Sequence, residues 1–252
     1  MKEFENSDSE DQEKDKKVQF HIKILLKCLR LCTNLVSHPS KEVRLYLVDL
    51  IRDLCKNLSQ NTNEFLPMVH KLWSPLCQRF NLDDYVVKSK IIYLLFDLSL
   101  LCGDFLGSRF IKEFLPKLCL FMKQQSKISL NFSINDPTYV YSQAYKLQTS
   151  ILTNIDKMCI LLDIKEIELE VVINDIVLTH LDKRQPKKLQ ILAVDSIKNC
   201  SLIDPDIIWL CLHYVLPFNN VDIKHSSFIK PKYTIQYNDE IFFDITNVFK
   251  NL

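Results

Sequence analysis

Only two glycines occur among 252 residues, Gly103 and Gly107, and both fall in one short stretch. Open α/β sheets with phosphate loops, β-sandwiches and barrels need many more glycines for turns, bulges and left-handed backbone. A chain this poor in glycine, yet rich in Leu, Ile and Lys, points to helices joined by short turns. Nearly half of the residues are apolar (47%), which is ample for a sizeable core. Lys plus Arg (32) and Asp plus Glu (31) cancel to +1, so no strong field favours nucleic acid or an anionic membrane.

The apolar residues recur at helical spacing. Leu25, Leu29, Cys32 and Val36 form one stripe, and His38-Pro39-Ser40 breaks it with Ser40 as N-cap. Val43, Leu47, Leu50, Ile51, Leu54 and Leu58 form the next, followed by a polar turn over Ser59 to Asn63. Phe65-Leu66-Pro67 opens a third helix, with Pro67 placed in its first turn. Val87, Ile91, Leu94, Leu98 and Leu101 mark a fourth, which Gly103 ends as a left-handed cap, with Asp104 capping the next helix. Phe114-Leu115-Pro116 then repeats the earlier motif after a little under fifty residues.

A period of roughly forty to fifty residues filled by two amphipathic helices is the pattern of HEAT and armadillo repeats. The predicted fold is therefore an all-α solenoid of about four stacked antiparallel helix pairs. Downstream, Ser126 to Asp136 reads as a polar loop. Ala144, Leu147, Ile151, Ile155 and Cys159 form a helix, with Ile167, Val171 and Leu178 on its partner. Leu189, Ala193 and Ile197 follow Pro186, and Ile208, Cys211 and Val215 follow Asp204-Pro205. The predicted organisation is a disordered polar segment over 1–17, a solenoid over 18–216 and an irregular tail over 217–252. Tyr233 to Ile245 has β-like composition, and a short last helix is placed near Thr246 to Leu252.

Nine cysteines stand singly among apolar residues with no secretory leader ahead of them, so they read as reduced core thiols. Cys28, Cys32, Cys55, Cys102 and Cys159 are predicted to be buried and unbridged. Cys28 and Cys32 lie one turn apart with His21 upstream, but there is no C-x-x-C, and the pair continues an apolar stripe. No metal or cofactor is expected. The longest apolar runs, such as Ile91 to Leu95, are too short to span a bilayer. No phosphate loop, nucleophile elbow or metal motif points to catalysis.

His180 and Asp182 stand beside Lys183 and Arg184 at an expected helix end, where positive charge suits the helix dipole. Lys183, Arg184, Lys187 and Lys188 cluster around Pro186, either as a solvated turn or as a contact for a partner. Arg109 is either paired with a carboxylate across helices or a partner contact. Phe105 and Phe110 read as core aromatics. The first helix carries Ile22, Ile24, Leu25, Leu26, Cys28, Leu29 and Leu31 on more than one face. An exposed apolar patch is expected near Ile22, Ile24 and Leu31.

With these motifs placed, the chain from about Val18 resembles the C-terminal HEAT region of the Tel-two-interacting-protein-one family. The most specific stretch is Cys102-Gly103-Asp104-Phe105-Leu106-Gly107-Ser108-Arg109-Phe110, followed by Phe114-Leu115-Pro116-Lys117-Leu118. Lys41-Glu42-Val43-Arg44-Leu45 through Val48-Asp49-Leu50, and Phe65-Leu66-Pro67 through Trp73-Ser74-Pro75-Leu76, also match. So do Tyr141-Ser142, Lys146-Leu147-Gln148, Gln185-Pro186-Lys187-Lys188-Leu189-Gln190, Asp204-Pro205-Asp206 with Trp209-Leu210, and Ile245-Thr246-Asn247-Val248. Members of that family are much longer, so the resemblance implies a C-terminal portion. It further implies a non-enzymatic co-chaperone scaffold of the Triple T complex. Its partners would be the other subunits, phosphatidylinositol-three-kinase-related kinases such as mTOR and ATM, and the heat-shock-ninety machinery. Nucleic acid, membrane and small-molecule substrates are not expected. The reading of the cysteines as reduced thiols implies a cytoplasmic location, with the nucleus as a second. A HEAT adaptor for nuclear transport or trafficking cargo is the alternative.

Overall fold

The computed structural model describes residues 5–82, 84–135, 137–215, 239–250 and 252, and all regular elements among them are helical. The chain divides into two compact units, 1–102 and 103–252.

The first unit contains α1 (Glu5–Leu35), α2 (Lys41–Leu58), α3 (Thr62–Leu82) and α4 (Tyr85–Cys102). Ser40 caps α2 by accepting from the Val43 backbone N–H at 3.3 Å. Arg44 closes the preceding turn by donating to the His38 carbonyl at 2.6 Å and the Pro39 carbonyl at 2.8 Å. Asp84 caps α4 by accepting from Val86 and Val87. α1 packs on α2 and α3, and α2 and α3 both pack on α4. The core joins Leu29, Ile51, Leu58, Phe65, Leu72, Trp73, Leu76, Phe80, Ile91 and Leu94, all fully buried. Ion pairs flank it: Arg52–Asp97 at 2.8 Å and Lys90–Asp49 join α2 to α4.

The second unit begins with a 3-10 turn (Gly103–Leu106), α5 (Gly107–Arg109) and a π-helical turn (Phe110–Phe114) that runs into α6 (Leu115–Asn135). A second 3-10 turn (Pro137–Tyr141) leads to α7 (Gln143–Leu161), capped by Ser142, which accepts from Tyr145 N–H at 3.0 Å. α8 (Glu166–Val172) passes through another π-helical turn (Ile173–Val177) into a 3-10 turn (Leu178–His180). α9 (Lys187–Cys200), α10 (Pro205–Val215) and α11 (Asp239–Lys250) come next. α7 packs on α9, α8 on α10, and α9 on α11. Asn199 donates to Asp156, and Ser196 to the Leu152 carbonyl at 2.9 Å, so polar bonds also join α7 to α9.

The structure corrects several expectations. α1 starts at Glu5, so residues 5–17 of the segment expected to be disordered have helical backbone, and residues 1–4 lie outside the described residues. Glu, Gln and Lys are strong helix formers, and extending an existing helix avoids the cost of a new nucleus. α11 starts at Asp239, not near Thr246, because Ile241 and Ile245, one turn apart, are both buried. The rest of the expected tail, 217–238, lies outside the described residues. Ser126 to Asn135 is helical, not a loop, and Ser126 and Ser129 bury their hydroxyls in a polar network. Val43 and Leu50 face solvent, while Val48 and Cys55 take their place in the α2 core. Ile167 and Val171 are likewise exposed, and Leu169, Val172, Ile173 and Ile176 are buried instead. Cys28 and Cys102 are only half-buried, although all nine thiols are free. By length and composition alone, a window within Tyr85–Asn131 could cross a membrane (mean hydropathy 1.6), although no single apolar run in it is long. In the structure Ile91, Leu94, Leu95 and Leu98 of this stretch are core residues.

The prolines of the two Phe-Leu-Pro motifs sit differently. Pro116 is the second residue of α6, where the helical run continues from the π-helical turn Phe110–Phe114. Pro67 lies inside α3, which starts at Thr62, so it removes a bond in the second turn. The glycines differ too. Gly103 adopts φ +55°, the left-handed end of α4. Gly107 is buried, and a Cβ there would stand 2.7 Å from the Leu162 carbonyl oxygen. Gly107→Ala is therefore expected to lose about 1–3 kcal/mol through overpacking. Gly103→Ala, with open space around it, is expected to lose about 1 kcal/mol from backbone strain alone. Urea unfolding of both variants checks the order.

Candidate interaction surfaces

Asp104 sits within the 3-10 turn after α4, and the N-cap of α5 is Leu106, which makes no side-chain cap bond. Phe110 is fully buried and packs tilted against Phe114, ring centroids 5.6 Å apart, whereas Phe105 is exposed, contrary to its core reading. The π-helical turn brings Phe110 and Phe114 onto the core side together, and Phe105 precedes that turn. Arg109 is mostly buried and grips Glu113 one turn away, Nε to Oε1 at 2.9 Å and Nη2 to Oε2 at 3.2 Å. The carboxylate lies on the same helical run, not across to another helix.

The basic cluster is divided by its neighbours. Arg184 folds back on Asp182 through Nε and Nη2, at 2.9 and 2.8 Å. Burial works to raise the Asp182 pKa, but the Arg184 backbone and guanidinium offset it and hold the carboxyl below its ordinary value. Lys187 pairs with Glu240 of α11 at 2.6 Å. Lys183 and Lys188 are exposed.

The turn carrying this cluster is held from beneath by groups that helical periodicity does not mark. Ser126 donates to the Thr179 carbonyl at 2.7 Å, and the Gln185 amide donates to the Ser126 carbonyl at 2.9 Å. Ser129 bonds Gln185, and Gln190 donates to the Gln185 carbonyl at 2.6 Å. His180 is fully buried. Its Nδ1–H donates to the Ile176 carbonyl at 2.7 Å, leaving Nε2 to accept from the Gln148 amide at 3.2 Å. The Tyr139 hydroxyl donates to Gln148 Oε1 at 2.8 Å, which fixes the orientation of that amide. A proton on Nε2 would face an N–H donor. Burial, acting against the charged ring, pushes the His180 pKa down to about 4. His180 is thus a buried, neutral group that adds nothing to the positive charge beside it.

A cleft of about 400 Å3 runs between α6 and α8, with Leu115, Pro116, Cys119 and Leu120 on one wall and Ile167 and Val171 on the other. The Lys123–Asp175 ion pair, 2.7 Å, crosses between the same two walls. A second cleft, about 340 Å3, lies between α9 and α11. Among the described residues no group of three or more His, Cys, Asp or Glu is placed to hold a metal ion, and His21, Cys28 and Cys32 form no such group.

Stacked helix pairs bearing open clefts and solvent-facing apolar side chains define a helical-repeat module for protein–protein interaction. The chain matches the family model described as the TTI1 C-terminal TPR domain over residues 1–209, and it belongs to that family. It is 33% identical over 193 residues to the mouse TELO2-interacting protein 1 homolog, covering 77% of this chain and 17% of the relative. The human homolog is 34% identical over 193 residues, covering 76% of this chain and 17% of the relative. TEL2-interacting protein 1 of Saccharomyces cerevisiae is 27% identical over 190 residues, covering 74% and 18%. The chain thus spans less than a fifth of the length of these curated relatives. No solved structure matches it. TPR and HEAT both denote stacked antiparallel helix pairs, so the family description and the repeat spacing agree on architecture.

The buried imidazole makes stability depend on pH. His180 in the unfolded chain titrates near 6.5 and in the folded chain near 4, so its contribution is complete above about pH 6.5. Acidification toward pH 4 is expected to remove up to about 3 kcal/mol, and His180→Asn to flatten that slope. Urea midpoints at pH 7.5 and 4.5 test both. Gln148→Ala removes the bonds that Gln148 makes to the Tyr139 hydroxyl and to His180 Nε2, and is expected to cost about 2–4 kcal/mol at pH 7.5.

Proposed function

We propose that this chain is a non-enzymatic scaffold segment that holds the counterpart of TELO2 in a Triple T-type complex. Through that complex it supports the maturation and stability of phosphatidylinositol-three-kinase-related kinases alongside the heat-shock-ninety machinery. The family match over residues 1–209 carries the reading, and the names of the relatives supply the partner. The family resemblance also supports a cytoplasmic and nuclear location, and nine unbridged thiols suit a reducing compartment. Lys183 and Lys188 are the contacts we assign to an acidic partner surface, since both are exposed beside a rigidly held turn.

Affinity purification of the tagged chain with mass spectrometry tests the proposal. The expected outcome is recovery of a TELO2 counterpart and a related kinase. Recovery of transport or trafficking cargo in their place would favour the adaptor reading. Lys183→Glu with Lys188→Glu is expected to reduce partner recovery at least tenfold without moving the thermal midpoint. Unchanged recovery would remove these two lysines from the interface.

A further inference from the structure

The first helix pair carries apolar side chains on the side that the next pair does not use. On α1, Leu29 and Cys32 are buried, as is Val36 just beyond its end, while Phe20, Ile24, Leu31 and Leu35 are exposed, Phe20 by 66% and Leu31 by 54%. At about 100° per residue the four exposed residues fall within roughly 60° of one another, turned away from Leu29. They form a single stripe, with half-buried Cys28 at its edge. On α2, Val43, Tyr46 and Leu50 are exposed, Tyr46 by 76%. The ion pairs to α4 leave α2 from Asp49, Arg52 and Lys56. At about 100° per residue Val43, Leu50 and Tyr46 lie roughly 180°, 160° and 120° round from Arg52, with Asp49 between Tyr46 and Arg52, so the apolar group sits to one side of the α4 ion pairs. Scattered apolar residues on a surface need no explanation, but an aligned stripe on each helix of one pair does.

We infer that this face of α1 and α2 is a repeat-to-repeat interface, and that its occupant is the helical stretch preceding this region in the longer chains of the family. Two observations choose the occupant. The family match is to a C-terminal domain, and more than four-fifths of each curated relative lies outside the aligned segment, so the family's chain extends ahead of it. The chemistry is also that of the interface already present in this unit, where α1 and α2 bury the same residue types against α3 and α4. A repeat pair covered on both sides needs two apolar faces, whereas a terminal cap presents a polar one. The inference rests on family membership and is independent of the partner assigned above.

Cys28 provides the readout. It stands at the edge of the stripe, whereas Cys102, the other half-buried thiol, sits at the end of α4 with its pKa pushed up to about 12 by burial. Thiol labelling followed by mass mapping is compared between this chain and a chimera of the mouse relative in which this chain replaces the aligned segment. Labelling at Cys28 is expected to slow at least tenfold in the chimera, with Cys102 changing less than twofold. Leu31→Lys with Ile24→Lys should abolish the protection while leaving the thermal midpoint of the isolated chain unchanged. Should the chimera fail to fold, the preceding mouse stretch added in trans must protect Cys28 of the wild-type chain but not of the double variant. Equal labelling with and without the preceding stretch overturns the inference. So does sedimentation showing that the isolated chain dimerises and that the double variant dissolves the dimer, since a second copy would then be the occupant.

Discussion

Among the described residues, main-chain hydrogen bonds close within helices and the turns beside them, so side chains must hold one helix against another. No sheet ladder among the described residues and no disulfide fixes the order of the helices. Contacts between helices come from apolar stripes, a few buried polar bonds and flanking ion pairs. This constraint explains why Trp73, Phe65, Phe80, Phe110 and Phe114 are among the largest fully buried side chains. Each fills the space between neighbours at a crossing that the backbone cannot secure. It also explains Gly107, where removing a side chain lets one helical run approach the Leu162 carbonyl more closely than any Cβ allows.

The polar bonds add what apolar packing lacks, which is direction. A stripe of leucines tolerates small shifts, but Gln148 satisfies Tyr139 and neutral His180 together in only one orientation. Gln185 does the same for Ser126 and Ser129. These bonds tie the turn between the 3-10 segment Leu178–His180 and α9 to α6, residues more than fifty positions away. The exposed lysines of that turn are therefore presented from a fixed backbone. Gln148, Gln185 and Gln190 all lie in stretches that carry the family resemblance, so those motifs have a physical role within this fold.

The outward faces reflect the same economy of contacts. A helix in a stacked array has an inner face, a face toward each neighbour and one toward solvent. Where Ile167, Val171 and Leu120 remain exposed beside a cleft, or Phe20, Leu31 and Tyr46 on the first pair, the apolar surface exceeds what the described core uses. Protein partners are the ligands to which such surfaces are suited.

Helical class, repeat architecture, the family and the caps at Ser40 and Gly103 were legible from one dimension, because each rests on local spacing or short motifs. Ser40 caps α2 through a bond to the residue three positions on, and Gly103 ends α4 by its own backbone freedom, whereas the caps at Asp84 and Ser142 emerged only in the structure. The faces that meet were less legible. Val43, Leu50, Ile167 and Val171 have the right spacing for burial, yet each helix had a second, adjacent stripe that its neighbours covered instead. Ser126 and Ser129 read as loop residues because polarity in sequence carries no mark of a partner fifty residues away. Arg109 found its carboxylate within its own helical run, and His180 found Gln148 through the packing of the second unit. Local backbone preferences decide where a helix starts and stops. Only the assembled structure decides which of its faces is wet, because burial belongs to pairs of helices and to neither helix alone.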